Sequence, residues 1–322
     1  MELESKEMKE IEMKSENISE EEEDAEIIRW IEEWMAMEKK KEKKEKSEKK
    51  EKKKDVEKVG KKTFTLTFGD QAENHAGMQK LGVALEEGLS GDDVERIATF
   101  FEGKGCVVER YVQSDMLEEK IRKGNEAMTI VIRSGLEALL DGKEGVDAFF
   151  TEQDSLEKDS KAKMYGRVVD KHARHNLCFA EYSQEANFEE GKGTIVNFDD
   201  EKVKCLKKVR DGISEHFGGK CKDLVAEGNY YYDISKCGIG YHGDSERRIV
   251  IGARLGEEMP LHFRWYHNRE VVSKTLKVML GHGDMYVSSQ KAVGFDWKKK
   301  SLYTLRHSAG SKKFLDEAAD LE

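Results

Sequence analysis

Alternation and periodicity of apolar positions divide the chain into recognisable elements. Thr63–Phe68, Thr-Phe-Thr-Leu-Thr-Phe, alternates polar and apolar residues, the period of a strand. Ser90-Gly-Asp-Asp-Val opens a helix running through Ile97, Phe100 and Phe101 to Gly103 or Gly105. Cys106–Val112 reads as strand, Met116–Arg122 as helix and Ala127–Arg133 as strand, which makes residues 61–150 a small α/β domain. Residues 151–165 are polar and read as a linker. Leu206, Val209, Ile213 and Phe217 form one helical stripe ending at Gly218-Gly219. Beyond Leu224 the pattern shortens to seven strands: Asn229–Asp233, Gly238–His242, Ile249–Leu255, Leu261–Trp265, Leu276–Leu280, Met285–Ser288 and Leu302–His307. Short strands with Gly-rich connections predict a β-sandwich or jelly roll, as one domain over residues 160–322.

Residues 1–60 differ in kind. Glu and Lys dominate, and no glycine precedes Gly60. Such a composition cannot bury enough apolar area to offset chain entropy, so this stretch is expected to be a disordered charged tail. Within it, Ile27, Ile28, Ile31, Trp34 and Met35 share one face of an amphipathic helix over residues 25–38, a candidate site for a protein partner. The fold class expected for the whole chain is α+β: a double-stranded β-helix (jelly roll), a small N-terminal α/β domain and a charged tail.

Charge and cysteine content narrow the setting. The net charge of −10 divides into −14 over residues 1–160 and +4 over residues 161–322, counting Lys and Arg against Asp and Glu. The mildly basic second half permits a phosphate-bearing substrate without demanding one. Five scattered cysteines without a Cys-x-x-Cys pair argue against a zinc ribbon and a disulfide framework. No signal-like apolar run opens the chain, and no stretch has the length of a membrane span. The expectation is a soluble intracellular protein, cytoplasmic or nuclear, with no membrane partner.

The candidate chemistry lies between Asn229 and Glu246. His242 and Asp244 are one residue apart, and on a strand residues i and i+2 leave the same face. One His and one carboxylate, completed by a distant His, make the facial triad of non-haem iron oxygenases. His262, His267, His282 and His307 are the downstream histidines, with His282 and His307 as competing third ligands. His75 is read as structural, because no partner ligand lies near it in sequence.

The ordered pieces from residue 164 to 310 resemble the AlkB-like branch of the 2-oxoglutarate- and iron(II)-dependent dioxygenases. Asn229-Tyr230-Tyr231 resembles the family's Asn-x-Tyr, and His242-Gly-Asp244 its His-x-Asp. Ile249–Trp265 resembles its strand, Gly turn and Phe-x-Phe-Arg hairpin, and Gly283-Asp284-Met-Tyr-Val its Gly-Asp-Leu-Leu-Val strand. The resemblance implies iron(II) on His242, Asp244 and His307, 2-oxoglutarate as co-substrate with O2, Asn229 and Tyr231 orienting the 2-oxoglutarate, and Glu246 helping to select the base. The family's carboxylate-clamping arginine lies on a strand after its distal His, but only 15 residues follow His307 here. That leaves Arg306, Arg254 and Lys312 as alternative clamps. Adjacent strand residues face opposite ways, so Arg306 and His307 share a site only across a bulge.

What the resemblance implies is an oxidoreductase that demethylates alkylated bases in nucleic acid, in DNA repair or RNA demethylation. Tyr182 and Trp265 are candidate base platforms, and the basic Arg167–His175 segment is a candidate phosphate contact. The same core could instead hydroxylate a protein, or a jelly-roll scaffold could bind without catalysis.

Overall fold

A computed structural model describes residues 61–315; the charged tail and its 25–38 helix lie outside the described residues. β1 (Thr63–Gly69) leads into a hairpin of β2 (Gln71–Asn74) and β3 (Gln79–Gly82). α1 (Gly91–Gly103), β4 (Val108–Val112), β5 (Met128–Ile132) and α2 (Lys143–Ser155) follow. Next come a second hairpin, β6 (Lys161–Met164) with β7 (Arg167–Asp170), then β8 (His175–Ala180), β9 (Ile195–Asn197) and α3 (Lys204–His216). The remainder is strand-rich: β10 (Val225–Tyr231), β11 (Gly238–His242), β12 (Val250–Gly256), β13 (Met259–His267), β14 (Glu270–Val271), β15 (Leu276–Leu280), β16 (Met285–Ser288) and β17 (Thr304–Gly310).

Two sheets carry the architecture, a mixed α+β arrangement dominated by antiparallel pairing. The larger has the order β4-β5-β16-β12-β1-β10-β8-β9, and only the β8–β9 edge is parallel. The smaller runs β11-β17-β13-β14, with β15 also paired to β13. Within residues 61–150 only the β2–β3 hairpin forms a sheet of its own, so the separate α/β domain expected from the sequence is not built there. β1, β4 and β5 are built into the larger sheet, and the described residues belong to one compact unit. Local alternation identifies a strand but carries no record of a partner 156 to 168 residues away, which is what β10 is to β1. The expected 151–165 linker is also replaced: α2 continues to Ser155 on a buried stripe of Val146, Phe149 and Gln153, and β6 starts at Lys161.

β1 shows why the sheets stack as they do. Phe64, Leu66 and Phe68 point to one face and pack with Ile97 and Phe101 of α1, Phe149 of α2 and Val209 and Ile213 of α3. Each fully buried side chain of this size stabilises the fold by about 1.5–3 kcal/mol. Thr63, Thr65 and Thr67 point the other way and are also buried, because the smaller sheet covers that face. A second core forms there, joining Tyr231, Val250 and Tyr286 to Leu261, Phe263, Trp265, Leu305 and Ala309. α1 begins at a Ser90 capping box with Asp93, as its sequence predicts. Among the described residues no helix is long and apolar enough to cross a membrane.

Candidate metal centre and its cavity

Between the two sheets lies a cavity of about 250 Å³. Strand register decides which side chains reach it. Asn229, Thr65 and Arg254 stand in one row across the larger sheet; Glu227, Thr67, Gly252 and Tyr286 stand in the next. Opposed residues of antiparallel strands share a face, so both rows look toward the smaller sheet. Gly252 has no side chain because the Tyr286 ring lies across it, 2.0 Å from where a Cβ would sit. From the smaller sheet come Leu261 and Phe263 of β13, His307 and Ala309 of β17, and His242 at the end of β11.

His242 pairs with His307, which in turn pairs with Phe263, so both imidazoles project from one face. Their ring centroids are 4.4 Å apart. Asp244 Oδ1 lies 3.5 Å from His242 Nε2 and 3.6 Å from His307 Nε2. The three ligand atoms fall within 4.8 Å of one another, close enough to hold one metal ion. Asp244 does not ride on the strand as the i, i+2 argument supposes, because β11 ends at His242. Its backbone N–H donates to Val293 O at 3.1 Å, and Gly243 presses against Gly294, whose carbonyl oxygen lies 2.1 Å from a Cβ built there. The turn at Gly243, rather than the pleat, aims the carboxylate.

His242 Nδ1 lies 2.8 Å from Gly240 O, which makes it the N–H donor and leaves the Nε2 lone pair facing Asp244. Burial, the neighbouring His242 and Arg247 push the His307 pKa well below its ordinary value, so its ring is neutral.

Arg254 faces the same cavity and is 1% exposed, with Nε and Nη1 buried and without a hydrogen-bond partner. Burial lowers its pKa, yet a guanidinium stays charged at physiological pH. A buried cation lacking partners is costly unless an anion completes it. Tyr231, Thr65 and Tyr286 line the cavity with it.

The other expected residues divide clearly. Arg306 is corrected: the bulge in β11 falls between Ile239 and His242, so Arg306 keeps the face opposite His307 and lies over Tyr266 (4.1 Å) and Trp297 (5.4 Å). Lys312 borders a separate surface cleft. His282 is occupied elsewhere, accepting from Gly256 N–H and lying 3.1 Å from Asp147. Asn229 reaches the cavity, but its Oδ1 accepts from Arg174 (2.6 Å) and Asn176 (2.9 Å) and its Nδ2 donates to Glu227 (3.0 Å). Glu246 also lines the cavity and accepts from Arg247 at 2.9 Å. Trp265 is no platform: it is fully buried and donates Nε1–H to Gln113 O. Tyr182 is exposed and does not line the cavity, whereas Trp297 and Met78 do.

Among the cavity residues that escape sequence reasoning are His75, Glu227, Arg247 and Thr65. Nothing short-range marks the first three, since His75 bonds a carboxylate 152 residues away. Thr65 left a trace in the Thr-x-Thr-x-Thr alternation of β1, which reads as a solvated face until a second sheet covers it.

No family model matches this chain. It is 44% identical over 256 residues, 79% of its own length and 98% of the relative's, to an uncharacterized protein, R156, of Acanthamoeba polyphaga mimivirus.

Proposed function

We propose that this chain, which belongs to the same family as mimivirus protein R156, is an iron(II)- and 2-oxoglutarate-dependent dioxygenase acting on alkylated bases in nucleic acid. One observation carries the reading: a His-Asp-His cluster shares a cavity with a buried guanidinium that has unpartnered N–H groups. Two imidazoles and one carboxylate on one side of a site suit iron(II) and leave coordination positions open. Arg254 suits the distal carboxylate of a 2-oxo acid, and Tyr231 and Thr65 offer hydroxyls beside it. The residues present therefore fit both groups. The strand order also supports a jelly roll, with β16-β12-β1-β10 facing β15-β13-β17-β11.

When bound, iron and 2-oxoglutarate with O2 supply oxidation of an unactivated C–H bond, which releases formaldehyde where that bond belongs to an N-methyl group. The chain does the rest. His242 holds its tautomer through Gly240, Gly243 aims Asp244, and Arg254 orients the co-substrate by charge. Leu261, Phe263, Val293 and Ala309 give the cavity dry walls that restrict water. Glu246 and Trp297 offer a carboxylate and an aromatic face to an incoming base.

The test is turnover. Wild-type protein with iron(II) should convert 2-oxoglutarate to succinate, and His242→Ala should abolish the conversion. No succinate from folded wild-type protein removes the enzymatic reading. Methylated DNA and RNA oligonucleotides should then yield formaldehyde. Succinate without formaldehyde from any of them removes the nucleic-acid substrate and keeps the oxygenase.

A further inference from the structure

We propose that Arg247 is a positioning residue for the metal-binding carboxylate, and that His75 and Glu227 hold it in place as the outer links of a hydrogen-bonded chain. The proposal rests on the reading of His242, Asp244 and His307 as a metal site. It concerns residues that the metal does not touch.

Arg247 is 3% exposed, and three carboxylates surround it. Its Nη2 donates to Glu227 Oε2 at 2.6 Å, and its Nε donates to Glu246 Oε1 at 2.9 Å. Nε also lies 3.8 Å from Asp244 Oδ2. The Asp244 oxygen near both imidazoles is the other one, Oδ1. The two oxygens of Asp244 are thus divided, one toward the imidazoles and one toward the guanidinium. A carboxylate free to turn about its Cβ–Cγ bond exchanges such oxygens. A fixed positive charge on one side removes that freedom and orients the ligand, the part outer groups play around metal sites.

The guanidinium is itself held. Glu227 is 2% exposed and lies 2.9 Å from His75 Nε2 on its other oxygen. Burial alone would raise the Glu227 pKa, but His75 and Arg247 outweigh it and keep the carboxylate well below its usual range. Ile249 O and the Arg247 stem close over Gly69, with Arg247 Cδ 3.2 Å from a Cβ built there. The chain therefore runs from the turn of the β2–β3 hairpin to the edge of the metal cluster. Arginine is required at its centre. Its fork reaches Glu227 through Nη2 while turning Nε to Glu246 and Asp244, which the single ammonium of a lysine cannot do.

Co(II) titration followed by visible absorption, without co-substrate, tests the proposal. Arg247→Lys should weaken Co(II) binding roughly 10- to 100-fold and shift the bands of bound Co(II). Glu227→Gln, which preserves shape and removes the charge holding Arg247, should move both in the same direction by less. If both variants keep the wild-type circular dichroism spectrum and bind Co(II) within about twofold of wild type with unchanged bands, the proposal is overturned. Should Arg247→Lys fail to fold, Glu227→Gln decides alone on the same criterion. A wild-type protein whose Co(II) binding survives His242→Ala overturns the metal reading instead. That result is distinct from a wild-type site which binds Co(II) while ignoring Arg247.

Discussion

Arg254 and Arg306 are two arginines on facing sheets with opposite fates, and strand parity separates them. Arg254 shares a row with Thr65 and Asn229 and looks inward; Arg306 is one residue from an inward histidine and looks outward. The parity argument for Arg306 needed only the sequence, and the structure keeps to it. Preferring Arg254 needed the row, because its cross-strand neighbours lie far along the chain. Its burial without partners makes a prediction with two opposite signs. Arg254→Met should raise the stability of the ligand-free protein by about 1–4 kcal/mol, since an uncompensated buried charge is replaced by an apolar side chain of similar reach. The same change should weaken 2-oxoglutarate binding roughly 10²- to 10³-fold, the equivalent of about 3–4 kcal/mol, within the range for breaking a buried charge pair. Urea denaturation reads the first and titration calorimetry in the presence of Mn(II) the second. Loss of stability with unchanged affinity would make Arg254 a structural residue and remove it from the site.

At the scale of elements, the metal cluster is assembled from strand ends and one tight contact. His307 is set by register on β17, but Asp244 depends on the turn after β11 being pinned to the turn after the one-turn helix Gln290–Val293. The pin is a glycine pair. Gly294 adopts φ +75°, and Gly243 faces its carbonyl with no room for a methyl group. Gly243→Ala should therefore push Asp244 off the imidazoles and cut Co(II) affinity by at least about tenfold, while the far core of Phe64, Phe101 and Ile213 stays folded. Unchanged Co(II) binding with an unchanged melting transition would show that the turn adapts. This dependence explains what the sequence made legible. The His-Gly-Asp spacing marks a candidate pair whatever backbone carries it, so the two side chains could be named together while their geometry was misassigned to a pleat. The hydrogen-bonded chain of His75, Glu227 and Arg247 left no such mark, because its members meet only through the pairing of β10 with β1 and the fold of the β2–β3 hairpin.

For the described molecule the decisive feature is where β1 sits. After β10 the chain crosses to the smaller sheet for β11, returns for β12, stays in the smaller sheet through β13, β14 and β15, returns for β16, and finishes in the smaller sheet with β17. The place between β10 and β12 is filled by β1, from the opposite end of the described chain, antiparallel to both neighbours. It follows why the sequence divided at residue 150 although the fold does not. The ends support the same view, since Lys61 O accepts from Ile234 N and Ser311 N donates to Cys237 O, both within one short segment. A chain recast to run from Lys158 to Leu315, then through about eight flexible residues, then from Lys61 to Glu157, should span that gap without strain. Such a permutant should melt cooperatively and bind Co(II) at wild-type affinity, because every strand keeps its neighbours. Removing residues 61–70 instead should abolish folding, since it takes the central strand from the larger sheet together with Phe64, Leu66 and Phe68. If the shortened protein still folds and binds Co(II), β1 is an accessory to the roll and the cavity does not need Thr65 and Thr67.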